Sequence, residues 1–113
     1  MPDTIFHRIM RREVPATFLH EDDRCVVIRD LHPQAPFHAL VIPKATLESV
    51  GTATDGDAAL LGHLLVVARK VAEQAGCGHA FRVVTNAGAG AGQSVPQLHL
   101  HVLGGRTLEW PPW

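Results

Sequence analysis

Hydrophobic and polar positions change period several times along this chain, and each change marks an element. Thr4 followed by Ile5, Phe6, Ile9 and Met10 spaces apolar residues as one or two turns of helix, ended near Val14 and Pro15. The runs "ATFLHE" and "RCVVIRD" are rich in β-formers and flank Asp22 and Asp23, which predicts a hairpin. "HPQAP" is a proline-broken loop, and "FHALVIPK" is a further strand stopped by Pro43. From Asp55 or Asp57 to Gly76 the period becomes helical. Leu60, Leu61, Leu64, Leu65, Ala68, Val71 and Ala72 fall on one side, bracketed by an Asp cap and a terminal Gly. "FRVVTN" and "QLHLHVL" are the last two strands, joined by the glycine-rich "AGAGAG". The sum is an α+β fold: an antiparallel sheet of about five strands with one long and one short helix.

The last strand carries the candidate chemistry. Residues two apart share a face, so Gln97, His99 and His101 point one way while Leu98, Leu100 and Val102 point into the core. Pro96 fits the first position of such a strand, where its missing N–H costs least. Taken alone, two alternating histidines describe either a polar outer face or half of a zinc site. His38 could supply a third ligand, but spacing places no Cys or acidic residue to complete a set of four. The preceding loop, "NAGAGAGQS", changes the picture. Gly88, Gly90 and Gly92 let backbone N–H groups converge on an anion, and Asn86, Gln93 and Ser94 add neutral donors. Such a loop running into a histidine strand is a coherent phosphate site, although no Walker lysine is present.

Composition narrows the classes. The 113 residues fit one domain spanning 1–113, and a hydrophobic share of 46% suits a globular protein. A net charge of −1, with both signs interleaved, gives no electrostatic case for nucleic acid or a membrane surface as partner. Cys25 and Cys77 stand in no CxxC arrangement and read as reduced thiols. The N-terminal stretch is too charged for a signal peptide, and "ALLGHLLVVA" falls short of a bilayer span, so a cytoplasmic location is expected. Histidine is the unusual count, at eight, of which His7, His20, His32, His63 and His79 read as surface or packing residues.

The segment "GQSVPQLHLHVLGGR", with "WPP" after it, resembles the signature of the histidine-triad (HIT) family. Within that family it is similar to the Hint branch of purine nucleoside phosphoramidases. "TIFHRIMRREVPA", "EDDRC", "DLHPQAPFHALVIPK" and "LLGHL" match the same branch in order and spacing. The resemblance implies that His99 attacks phosphorus and carries a nucleotidyl intermediate, and that His101 contacts the non-bridging oxygens. Ser94 would assist near the leaving nitrogen, and His38 would be the further histidine from the neighbouring strand. Asp30 would take the ribose hydroxyls, although an Asp before a proline loop also caps turns. Ile5, Phe6, Ile9, Ile28 and Leu31 would hold the base. Asn86, Gly92, Gln93 and Val95 would lie around the ribose and phosphate. Trp110 would reach towards a partner subunit in a homodimer. No metal or other cofactor is required.

Gln97 departs from the family, standing where the first triad histidine is found. A glutamine keeps the backbone carbonyl that, by the resemblance, holds the second nitrogen of His99, but it cannot change charge near neutral pH. Thr46 stands in place of another common histidine, and Trp113 ends the chain where the branch ends in glycine. Three functions follow. One is a phosphoramidase cleaving the P–N bond of AMP or GMP phosphoramidates. Another is a nucleotide-binding or scaffold protein with catalysis weakened by Gln97. The third is a dinucleoside polyphosphate hydrolase, whose branch carries glutamine after the central histidine, where this chain has His101.

Overall fold

The computed structural model describes residues 3–113; Met1 and Pro2, at the start of the expected 1–113 domain, lie outside the described residues. Helix α1 (Ile5–Met10) begins at a capping box: the Thr4 hydroxyl accepts from the His7 N–H, and His7 Nδ1 accepts from the Thr4 N–H at 3.0 Å. Strands β1 (Phe18–Glu21) and β2 (Cys25–Arg29) form the expected hairpin. Asp22 fixes its turn by accepting the N–H groups of Arg24 and Cys25 on Oδ1, at 2.8 and 2.9 Å. Strand β3 (Phe37–Pro43) follows, then α2 (Ala58–Gln74), β4 (Phe81–Val84) and β5 (Leu100–Gly104). A one-turn 3-10 helix, Asp55–Asp57, leads into α2. At the far end Gly76 takes φ +83°, and the Cys77 N–H returns to the Ala72 carbonyl, a Schellman stop.

The strands order as β1-β2-β3-β5-β4, all neighbours antiparallel. This is the α+β fold expected, with one sheet, one long helix and one short one. Every residue of β3 is buried because the sheet is covered on both faces. On one face Val27, Ala39, Val41, Leu100 and Val102 pack against Leu64, Val67, Ala68 and Val71 of α2. On the other, Val26, Ile28, Leu40 and Ile42 receive Phe6 and Ile9 of α1.

Two expectations need correction. Leu65 does not join the buried stripe of α2; it is 55% exposed, and Val67 is buried instead. Leu64, Val67, Ala68 and Val71 keep the three-and-four spacing of one face, and Leu65 falls just beyond its edge. The last strand begins at Leu100, not at Gln97. Pro96 has no N–H to pair, and the Gln97 side chain takes backbone groups of residues 43–47 that a longer ladder would have used. The alternation survives the loss of pairing: Leu98 is fully buried on the α2 side, as Leu100 is within the ladder.

Candidate active site

Strand register sets the site. His101 lies directly across from Leu40 in β3, and His38 lies two residues from Leu40, so both imidazoles share the α1 face. His99 precedes β5 and packs edge-on against Phe6 of α1, ring centroids 4.9 Å apart. Its Nδ1 sits 2.8 Å from the carbonyl oxygen of Gln97. A carbonyl can only accept, so that nitrogen carries the proton and Nε2 is left with a free lone pair.

A second proton chain runs alongside. His38 Nδ1 accepts the Gln34 N–H at 3.0 Å, which leaves the His38 proton on Nε2. That Nε2 lies 2.9 Å from His101 Nδ1, so His101 accepts there and carries its own proton on Nε2. Asp30 Oδ2 stands 3.4 Å from His38 Nε2 and 4.0 Å from His101 Nδ1. Its other oxygen caps the following turn by accepting the His32 N–H at 2.8 Å. Asp30 therefore does cap a turn, and at the same time faces the histidine pair.

Burial favours the neutral form of His99 and His101. It pushes the His99 pKa below the usual imidazole value, against the opposing pull of the Gln97 carbonyl and the Asp30 charge. His101 is lowered to about 4, first by burial and then by the neighbouring His99 and His38, with Asp30 opposing. The arrangement offers one free imidazole lone pair, one imidazole N–H donor and one carboxylate.

These groups open into a cleft of about 370 Å³, the size of a small-molecule site. Ile5, Phe6, Ile9 and Ile28 form its apolar wall, Asp30 and Leu31 its rim, and Ser94, Val95, His99 and His101 its reactive side. Ten sequence-predicted residues thus come together. His38 stands behind them, reaching the cleft through His101.

The remaining predicted residues lie elsewhere. Gln97 is fully buried, and its amide bonds the carbonyls of Pro43 and Ala45 and the N–H of Leu47, at 3.1, 2.9 and 3.1 Å. Its side chain braces the segment after β3; only its carbonyl addresses His99. Asn86, Gly92 and Gln93 are absent from the cleft wall. Asn86 donates to the Ala91 carbonyl, while Gln93 accepts the Gly88 N–H and donates to the carbonyls of Glu48 and Val95. The N–H groups of Ala91, Gly92 and Gln93 close onto the carbonyls of Gly88 and Ala89. The glycine loop is therefore a 3-10 turn, with Gly88 and Gly92 at φ +91°, in which the N–H groups of Gly88, Ala91, Gly92 and Gln93 are taken up within the loop. Trp110 is 80% exposed beside β4, against Trp113.

Sequence reasoning missed Ala16, Arg29, His32 and Leu40, which also line the cleft. Leu40 was within reach, since strand alternation puts it on the face of His38. Ala16 and His32 come from irregular segments, whose direction no periodicity reports.

A sheet covered by a helix on each face, with a histidine pair and a carboxylate at the mouth of an apolar cleft, has the form of a hydrolase-like active site. The comparisons agree: residues 11–108 match the HIT domain. A HIT-like protein of Synechocystis sp. is 54% identical over 110 residues, covering 97% of this chain and 96% of that one. The crystal structure of a HIT family hydrolase from Legionella pneumophila superposes with a TM-score of 0.94 at 40% identity, covering 98% of this chain and 100% of that one. A histidine triad protein from Clostridium difficile superposes with a TM-score of 0.90 at 39% identity, covering 96% of each chain. The chain belongs to the HIT family.

Proposed function

We propose that this chain is a purine-nucleotide-binding HIT protein that retains His99 as a nucleophile, with catalysis weakened because Gln97 supplies no third triad imidazole. The observation that supports it is the bond from His99 Nδ1 to the Gln97 carbonyl, which leaves Nε2 free at the wall of an apolar cleft. The apolar wall suits a purine ring, and Asp30 at the rim suits ribose hydroxyls. Asn86, Gly92 and Gln93 act in this reading by holding the loop that presents Ser94 and Val95.

The chemistry follows from these atoms. The His99 Nε2 lone pair attacks phosphorus of a nucleoside phosphoramidate, and the P–N bond breaks with its electron pair going to nitrogen. The amine leaves with a proton, to which the Ser94 hydroxyl gives access. His101, donating through Nε2, stabilises the non-bridging oxygens. Water then attacks the nucleotidyl-histidine: a P–O bond forms, the P–Nε2 bond breaks with its electron pair returning to His99, and the proton lost by water goes to solvent, balancing the one the amine carried away. What is lost with the first triad histidine is a titratable relay, and general acid–base help is worth about 10²–10⁴-fold.

The second reading is a full phosphoramidase of the Hint type, supported by the same carbonyl contact, which does not depend on the side chain at position 97. Turnover and binding, measured side by side, separate the two. AMP release from adenosine 5′-phosphoramidate that is slow in the natural chain and rises at least tenfold in Gln97→His favours weakened catalysis. A fast natural chain with an unimproved variant favours the second reading. AMP binding that survives His99→Ala with loss of turnover is expected under both; loss of binding in folded His99→Ala, or unchanged turnover, removes both.

Pairing of two chains, with Trp110 reaching the neighbour's cleft, belongs to the same proposal, and light scattering of the purified chain tests it. Among the described residues no helix is long and apolar enough to cross a membrane. A cytoplasmic location is proposed with it.

A further inference from the structure

On the sheet face opposite the cleft, three side chains converge on one oxygen. His20 Nε2, from β1, lies 2.8 Å from Asp22 Oδ2, and His63 Nε2, from α2, lies 2.8 Å from the same atom. Cys25 Sγ, at the start of β2, stands 3.6 Å from it. The ligating atoms of His20, Asp22 and Cys25 all lie within 4.8 Å of one another. The three polar side chains remain 22–25% exposed, so solutes reach them, while Cys25 closes the inner side at 0% exposure. None of these residues touches the nucleotide cleft: Cys25 belongs to the core under α2.

We propose that His20, Asp22, His63 and Cys25 form a transition-metal site of the zinc type that clasps the β1–β2 hairpin to α2. Two imidazoles, a carboxylate and a thiol are a complete tetrahedral donor set for Zn²⁺. Asp22 is oriented for it, because the N–H groups of Arg24 and Cys25 hold Oδ1 and leave Oδ2 pointing at the other three. Four ligands at Zn–N and Zn–O distances of about 2.1 Å and Zn–S of about 2.3 Å stand roughly 3.3–3.7 Å apart. The thiol already has that spacing from Asp22 Oδ2, and the His20 imidazole needs to withdraw from that oxygen by about half an ångström. His63 touches Asp22 Oδ2 but lies outside the close His20, Asp22 and Cys25 group, so its ring must also swing towards them to complete the set. Among the described residues neither ring has a partner on Nδ1. Each can therefore carry its proton there when Nε2 turns to the metal. Binding then releases one proton, from the Cys25 thiol, and the carboxylate and thiolate together neutralise the ion.

The test uses the full chain stripped of metal by a chelator and titrated with Zn²⁺, with Co²⁺ as spectroscopic probe. One Zn²⁺ per chain is expected, with uptake of Co²⁺ giving a near-ultraviolet thiolate charge-transfer band. Cys25→Ser abolishes that band. His20→Gln and His63→Gln each weaken Zn²⁺ by more than the roughly 10–100-fold that loss of a mere supporting partner produces. Zn²⁺ raises the melting temperature of the natural chain and not that of the histidine variants. The natural chain binding less than one ion, or showing no thiolate band, overturns the site whatever the variants do. So does an ion retained by His20→Gln and His63→Gln but lost in His101→Gln, which would place it on the Asp30, His38 and His101 group.

Discussion

His38 Nε2 and His101 Nδ1 are joined by a hydrogen bond of 2.9 Å across neighbouring strands. The bond aims a proton without either ring being charged: the Gln34 N–H fixes the His38 tautomer, and His38 in turn fixes that of His101. The Nε2–H donor of His101 is thus set two hydrogen bonds away, in the loop before β3.

His38→Leu breaks this chain and lets His101 adopt the wrong tautomer. Any turnover of a nucleoside phosphoramidate should fall by about 10²-fold, the loss typical of one oxyanion donor. His38→Gln, which can still donate to His101, should recover part of it. Steady-state kinetics on both variants, with AMP affinity as control, checks the expectation.

Stability should depend on acid pH with a definite sign. The folded pKa of His101 is about 4, below the ordinary 6.5, so between these values the unfolded chain binds a proton that the folded chain refuses. Stability is then greatest above the ordinary value and is lost as pH falls through this window. His99, shifted the same way, adds to the loss. Urea unfolding at pH 7 and pH 5 should show a lower midpoint at the acid pH, and His101→Gln should flatten the difference.

Removing the Gln97 amide should cost stability irrespective of activity. Gln97→Leu fills the same buried space but strips partners from the Pro43 and Ala45 carbonyls and the Leu47 N–H. Orphaning buried backbone groups costs about 1–3 kcal/mol, read as a lower urea midpoint at unchanged slope.

Gly104 marks a close approach rather than a flexible joint. A Cβ there would stand 2.7 Å from Cys77 Sγ and 3.1 Å from its Cβ. Gly104→Ala should destabilise by about 1–3 kcal/mol through overpacking, and the double variant with Cys77→Ala should recover most of that loss in a thermal melt.

Much of this was legible in the amino-acid pattern, and the exceptions share a cause. The helical stripe from Leu60 to Ala72, the Asp22 turn and the alternation through Leu98, Leu100 and Val102 are local properties, and each reappears in the fold. The grouping of His99 and His101 with Phe6 and Ile28 needed the family resemblance, because the residues come from distant elements. Three features lay beyond both. The Gln97 amide turns away from the cleft because residues 43–47 present unpaired backbone groups, a fact of tertiary placement. The glycine loop takes the N–H groups of Gly88, Ala91, Gly92 and Gln93 for itself because Gly88 and Gly92 at positive φ close a 3-10 turn. His20 and His63 read as surface or packing residues in sequence, yet meet on Asp22 because α2 crosses the hairpin there.

The contact that orients His99 comes from a peptide unit, and every amino acid brings the same carbonyl to position 97. Counting imidazoles in a signature therefore says nothing about whether the central ring is held in its tautomer. Chains with two, bearing a neutral amide or even an aliphatic residue in the first slot, keep that orientation and lose only what the missing side chain itself would do. What would disqualify one is a bend that swings that oxygen out of reach.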